Sequence, residues 1–171
     1  MTLLSCTWTA TGGALNQQTT SFNGCFIRYD VSTKDYEAET VVTIDTYYDK
    51  YNWVEGAGIA VRLQAAASLP NTPGGYVCTV SPADDLLFLA RCPGGASNSC
   101  PIMKKIPASI DLGVAVLVRA AVVGNQVTCS LPQKGISFSY TDPAPFAGGG
   151  AGFVTFHASA MFDYLKVTPL P

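Results

Sequence analysis

The sequence predicts an all-β protein made of two stacked antiparallel sheets, and three observations support this. Short runs rich in β-branched and aromatic residues are separated by glycine, proline and asparagine, with almost nothing at helical period. The central runs carry apolar side chains on both faces but charge on only one. The chain has 171 residues, the length of one domain. So many strands in one domain favour two sheets around a shared core.

The strands are predicted in a definite order along the chain. ETVVTIDTYY and GAGIAVRLQA are single strands, GYVCTV and DLLFLARC pair around SPAD, and GVAVLVRAAVVGNQVTCSL pairs around Gly124 and Asn125. GAGFVTFH and MFDYLKV are the closing strands. Alternation places Ile59, Val61 and Leu63 on one face, opposite Ala60, Arg62 and Gln64.

Composition excludes two classes of partner. Ten basic and twelve acidic residues are scattered without a long run of either sign, so the sequence lacks the electrostatic footprint of a nucleic-acid-binding protein. The longest apolar stretch, Leu112 to Val123, is interrupted by Arg119 and is shorter than the roughly 20 residues of a membrane-spanning helix. We therefore expect neither nucleic acid nor a membrane span.

Six cysteines without a C-x-x-C pair favour disulfides over a zinc site. Disulfides indicate an oxidising compartment, hence a secreted or periplasmic protein whose signal peptide has been removed. The number of possible pairings leaves the connectivity open, but local spacing ranks them. Cys92 with Cys100 closes a short glycine-rich loop, Cys6 with Cys25 holds the amino-terminal segment, and Cys78 is left with Cys129.

The order of these elements resembles the concanavalin A-like lectin and glucanase superfamily, in particular laminin-G-like modules and the related 3-keto-disaccharide hydrolase domains. The resemblance runs from about Val41 to Val167 and rests on GAGIAVRLQ, GYVCTV, LLFLARC, VAVLVRAAVVGNQVTCSL and GGGAGFVTFHASAMFDYLKV. Phe162 and Asp163 match a phenylalanine-aspartate pair that opens the last strand in this superfamily. The resemblance implies a jelly roll, with glycans bound on a concave face or at a loop rim.

The resemblance does not imply catalysis. Hydrolases of this superfamily carry an E-x-D-x-x-E strand that places three carboxylates on one face, and this motif is absent here. Glu37 and Glu39 have no aspartate between or beyond them. Asp45 and Asp49 share a strand face but lie roughly 13 Å apart, too far for the separation of about 5 Å that a retaining glycosidase needs.

The segment of residues 45–56 is the predicted ligand-binding region. Aromatic rings stack on the apolar faces of sugars, and nearby carboxylates accept hydrogen bonds from hydroxyls. The alternative is that alternate aromatics fill the core while the others lie on a loop. The candidate ligand-binding residues are Tyr47, Tyr48, Asp49, Tyr51, Trp53, Glu55 and, on the next strand, Arg62.

Three further features are interpreted more conservatively. Arg62, Arg91 and Arg119 would hold an acidic sugar if they converged, although separate solvated arginines are the simpler reading. Asp45 and Asp163, with Asp49 or Glu55, are weak candidates for a structural calcium, and no other cofactor is expected. His157, the single histidine, is interpreted as structural, and the glycines before it as a loop entering a crowded strand.

Three functions from different classes follow. The leading hypothesis is a secreted, non-catalytic module that binds carbohydrate or another extracellular surface. The second is a glycoside hydrolase or polysaccharide lyase of the same fold that uses dispersed acids such as Asp49, Glu55 and Asp163. The third is a structural subunit that associates with itself, which the low charge of 13% and the hydrophobic content of 48% favour.

Overall fold

The computed structural model describes residues 2–3, 6–18, 24–48, 55–65, 73–95 and 99–171. Within these ranges fifteen β-strands form two antiparallel sheets, and helical structure is limited to a 3₁₀ turn at Pro132–Lys134. The all-β, two-sheet prediction is confirmed. In this part of the chain, no helix has the length and apolar character needed to cross a bilayer.

Sheet A is antiparallel throughout. Its strands are β1 (Thr2–Leu3), β4 (Cys25–Tyr29), β6 (Gly56–Leu63), β7 (Gly75–Ser81), β8 (Leu86–Cys92), β9 (Ile102–Pro107) and β13 (Gly150–Phe156). They lie side by side in the order β1-β4-β13-β6-β7-β8-β9.

Sheet B is built in the same way. Its strands are β2 (Trp8–Thr11), β3 (Ala14–Gln17), β5 (Tyr36–Tyr47), β10 (Val116–Val123), β11 (Gln126–Leu131), β12 (Ile136–Thr141), β14 (Ala158–Phe162) and β15 (Lys166–Pro169). The spatial order is β12-β11-β10-β5-β14-β3-β2, and β15 pairs with the first residues of β5.

The main core lies between the sheets, and period-two alternation fills it. On β10 the side chains of Val116, Val118, Ala120 and Val122 are buried, while those between them are partly exposed. Val123 pairs with Gln126, so β10 and β11 are joined by the two-residue turn predicted at Gly124 and Asn125. The β7–β8 hairpin also forms as predicted, with Ser81 opposite Leu86.

Sheet A is buried on its outer face as well, and this corrects the alternation predicted for β6. A second apolar cluster covers that face, and Leu63 belongs to it together with Ala60 rather than to the main core with Ile59 and Val61. The cause is a bulge. Leu63 pairs with Gly150 and Ala60 with Gly152, so β6 has one residue more than β13 between these pairs.

The three disulfides join the same cysteines that spacing ranked first. Cys78 on β7 pairs with Cys129 on β11 and so ties sheet A to sheet B through the core. Cys6 pairs with Cys25, and Cys92 with Cys100.

The end of the chain differs from its predicted form. MFDYLKV is not one strand, because β14 ends at Phe162 and β15 begins at Lys166. The phenylalanine-aspartate pair therefore ends β14 instead of opening the last strand. Residues 163–165 form a connection that leaves the sheet, and this connection builds part of the cleft described next.

Candidate functional site

An open cleft of about 460 Å³, the side cleft, lies where the β2–β3 hairpin of sheet B, β4 of sheet A and the β14–β15 connection meet. A cleft of this volume falls within the range of about 300–1,000 Å³ that is usual for small-molecule sites. Most of its lining is apolar. The lining residues are Ala10, Gly13, Ala14, Leu15, Tyr29, Phe153, Phe162, Asp163, Tyr164, Leu165 and Val167.

The floor of the side cleft is a row of packed aromatic rings. Phe153 of sheet A and Phe162 of sheet B stack with ring centroids 4.6 Å apart and planes at 22°. Tyr29 meets Phe153 edge to face at 6.1 Å, and Trp8, which is not among the lining residues, lies 5.8 Å from Phe162 and supports the floor. Such pairs stabilise a fixed arrangement beyond their buried area, so the floor is pre-formed.

The mouth of the side cleft carries the groups that can meet a ligand. Tyr164 is 41% exposed, the one aromatic among the large exposed apolar side chains of the described residues. Asp163 beside it is exposed, and its backbone N–H donates to the carbonyl of Val41 at 3.1 Å, which fixes the connection to β5. Burial raises the pKa of Tyr29 above its ordinary value, so the phenol keeps its proton and can donate a hydrogen bond, as an unburied tyrosine also would at neutral pH.

The predicted aromatic segment lies only partly within the described residues. Tyr47 and Tyr48 are half-buried at the end of β5, where Tyr47 packs against the main core and the N–H of Tyr48 donates to the carbonyl of His157. Glu55 is buried just before β6. Asp49, Tyr51 and Trp53 lie outside the described residues.

The end of β5 and the side cleft are separate regions. Phe162 pairs with Val42 and Ala158 with Tyr47, so Tyr47 lies five residues along the strand from the cleft, roughly 16 Å away. The same geometry separates the two calcium candidates. Asp163 lies beside Val41, whereas Asp45 lies four residues further along β5, roughly 13 Å away. Among the described residues no group of three histidine, cysteine or acidic side chains could hold a metal ion.

Arg62 is a buried structural anchor by its contacts. Its side chain is 3% exposed and donates to the carbonyls of Lys34, Gly124 and Phe146 and to a carboxylate oxygen of Asp35. The backbone of Arg62 has φ +49°, an unusual conformation for a residue other than glycine. These contacts hold three loops at one end of the sandwich, which favours a structural role over the predicted contact with ligand.

The three strand arginines do not converge. Arg91 donates from Nε to Asp142 at 2.8 Å, and Arg119 donates from Nη2 to Glu39 at 2.7 Å on the outer face of sheet B. Arg62 is paired with Asp35. Each guanidinium therefore has its own carboxylate. The three arginines are separate, as interpreted, but Arg62 is buried and not solvated.

His157 is a corner residue. It is buried, has φ +46°, and is the single residue between β13 in sheet A and β14 in sheet B. Histidine is among the residues that adopt this left-handed conformation more readily than most. The structure thus supports the structural interpretation of His157.

Sequence reasoning missed Tyr29 and Tyr164. Tyr29 precedes the segment in which the resemblance begins, and Tyr164 was assigned to a continuous strand. The sequence nevertheless indicates a break in the strand here, because Asp163 and Tyr164 interrupt the apolar pattern after Phe162. Both side chains can form hydrogen bonds.

Comparison with solved structures finds similar folds at low sequence identity. A carbohydrate-binding module, CBM66, from Bacillus subtilis aligns over 97% of this chain and 93% of its own, with a TM-score of 0.78 and 19% identity. A legume lectin-like domain from Entamoeba histolytica aligns over 96% and 87%, with a TM-score of 0.60 and 10% identity. An alginate lyase from Pseudomonas aeruginosa aligns over 97% and 87%, with a TM-score of 0.53 and 15% identity.

No protein-family model matches the sequence, and a search of curated proteins finds no match. The structural likeness nevertheless extends over nearly the whole chain, which forms two antiparallel sheets. The fold of this protein is the concanavalin A-like jelly-roll sandwich.

Proposed function

We propose that this protein binds carbohydrate through the side cleft. The observation that carries the proposal is the exposed ring of Tyr164 next to the Asp163 carboxylate, at the mouth of an apolar cleft with a pre-formed aromatic floor. An exposed aromatic face stacks on the apolar face of a sugar ring. A carboxylate accepts hydrogen bonds from sugar hydroxyls on either side.

Binding without cleavage is the version of this function that the cleft favours. Asp163 is the one carboxyl group among the described residues that line it, and glycoside hydrolysis ordinarily requires two. The similarity to a carbohydrate-binding module and to a lectin-like domain supports the same reading. The alginate lyase among the similar structures keeps a lyase as the alternative, so cleavage has to be assayed directly.

We further propose that the protein works outside the cytoplasm, secreted or periplasmic. Its three disulfides support this, because such bonds form and persist in oxidising compartments. The aromatic segment of residues 45–56 remains a predicted second contact for glycan, through Tyr47, Tyr48, Asp49, Tyr51 and Trp53, whereas the burial of Glu55 disfavours its predicted contact.

A glycan array followed by incubation of every hit with the protein tests the proposal. We expect retention of at least one glycan without release of product. Tyr164→Ala should weaken that binding about tenfold or more, because it removes the stacking face. Val123→Ala is the matched control, since Val123 is 45% exposed at the β10–β11 turn and lies outside the cleft.

Two results would contradict the proposal. One is equal retention by wild type and Tyr164→Ala, which would move the contact elsewhere on the molecule. The other is release of shortened products, which would replace the binding module by an enzyme.

A further inference from the structure

The side cleft has a one-sided charge. Of the eleven described residues that line it, ten are glycine, aliphatic or aromatic, and Asp163 is the one with a charged side chain. Tyrosine is neutral at neutral pH and burial raises the pKa of Tyr29 further, so that phenol adds no second charge. From the described lining, a ligand in the cleft therefore meets a single negative charge and no positive one.

Each arginine of the described residues is paired with a carboxylate outside the lining of the side cleft. Arg62, Arg91 and Arg119 are paired with Asp35, Asp142 and Glu39. The remaining one, Arg28, binds a carboxylate oxygen of Asp30 at 2.6 Å and also donates from Nε to the carbonyl of Leu63.

Lys166, the lysine nearest in sequence to the lining residues, also has a carboxylate partner. Lys166 precedes the lining residue Val167 and donates to Glu39 at 3.2 Å, on the outer face of sheet B. Because the described lining residues include no lysine or arginine, an acidic ligand group in the side cleft would lose hydration without gaining a cation from them, and this costs free energy.

We infer that the side cleft selects neutral and amino-bearing glycans and rejects uronates and sulfated glycans, with Asp163 as the group that sets this selectivity. The inference rests on the proposed function. An amino group can take the place of one hydroxyl donor and gain the attraction of the carboxylate. A carboxylate or sulfate near Asp163 is repelled instead, and the low-polarity floor strengthens that repulsion.

The test uses matched glycans that differ in charge but not in backbone. We would compare galacto- with galacturono-oligosaccharides, manno- with mannurono-oligosaccharides, and cello- with glucosamine oligosaccharides, each by calorimetry with wild type and Asp163→Asn. In the two pairs that contain a uronate, we expect the acidic member to bind about tenfold more weakly than the neutral one, and in the third pair we expect the amino-bearing member to bind at least as tightly as the neutral one. Asp163→Asn should reduce the tenfold ratio to about threefold or less, as should high salt.

Each outcome decides between the two claims. Equal or tighter binding of an acidic member by wild type overturns the selectivity, as does a ratio that Asp163→Asn leaves unchanged, while either result leaves carbohydrate binding intact. If no neutral or amino-bearing glycan binds, or if Tyr164→Ala binds them as tightly as wild type does, carbohydrate binding in the side cleft is contradicted. The charge selectivity is then contradicted as well, because it rests on binding in that cleft.

Discussion

The hydroxyl of Tyr76 donates a 2.6 Å hydrogen bond to Oδ2 of Asp142, joining β7 of sheet A to the segment that follows β12 of sheet B. The same oxygen accepts Nε of Arg91 at 2.8 Å, and Oδ1 accepts the N–H of Ala144 at 2.9 Å. The guanidinium of Arg91 also lies 4.4 Å from the centre of the Phe146 ring. A buried carboxylate with this many donors fixes the loop that enters β13.

The Asp142 carboxylate should make the free energy of unfolding depend on pH in the acid range. Burial alone would raise the pKa of Asp142, but the hydrogen bonds from Tyr76, Ala144 and Arg91 outweigh it and hold the pKa below its ordinary value. A lowered folded-state pKa stabilises the protein above the unfolded-state value, near pH 4, and this contribution is lost as the pH falls further. We expect Asp142→Asn to lower the free energy of unfolding by roughly 2–4 kcal/mol at pH 7 and to flatten its slope below about pH 4.

Urea unfolding at pH 7 and at pH 3 measures both effects. Asp30→Asn is the matched control, because that carboxylate is 80% exposed in its pair with Arg28 and should matter by about 1 kcal/mol or less. If the free energy of unfolding of Asp142→Asn depends on pH as steeply as that of wild type, Asp142 does not contribute to the loss of stability in acid.

Replacing the buried Arg62 should lower the free energy of unfolding more than replacing the partly exposed Arg119. Arg62→Lys keeps the charge but cannot reach the separate carbonyls of Lys34, Gly124 and Phe146, so these buried acceptors lose their donor. We expect a loss of roughly 3 kcal/mol in chemical denaturation. Arg119→Lys, on the outer face of sheet B, should cost about 1 kcal/mol or less. Equal losses in the two variants would contradict the anchoring role.

Two glycines in the run before His157 differ in whether there is space for a side chain. A Cβ at Gly152 would collide with the carbonyl oxygen of Ile27 on the neighbouring strand, whereas a Cβ at Gly148 would meet nothing within 4 Å. Neither residue has the positive φ that would strain an alanine by itself. We therefore expect Gly152→Ala to lower the melting temperature by about 10 °C or to prevent folding, and Gly148→Ala to change it by about 2 °C or less.

Circular dichroism melts of the two variants provide the comparison. A similar melting temperature for both would show that β13 can shift away from β4, and the close approach of these strands would then not be required.

Local features of the fold could be predicted from sequence, and contacts between distant segments could not. The β10–β11 hairpin is specified by its own alternation and by the two residues of its turn. The bulge at Arg62 depends on pairing with β13, about 90 positions later, and nothing in GAGIAVRLQ marks it. The side cleft was missed for a related reason, since Ala10 to Leu15 and Tyr29 precede Val41, where the resemblance begins.

Filling the side cleft should weaken glycan binding without removing any contact of the native protein. Ala10 is exposed on β2 and lines the cleft, so the indole of Ala10→Trp would occupy the space in front of Tyr164. Thr9→Trp adds the same ring one residue earlier on the same strand, where alternation points it to the opposite face of sheet B. We expect Ala10→Trp to weaken binding of the best array glycan about tenfold or more and Thr9→Trp to leave it unchanged. Both melting temperatures should stay near that of wild type, since both positions are exposed. Undiminished affinity in Ala10→Trp would place the glycan elsewhere on the surface, and the predicted aromatic segment after Asp45 would be the next region to mutate.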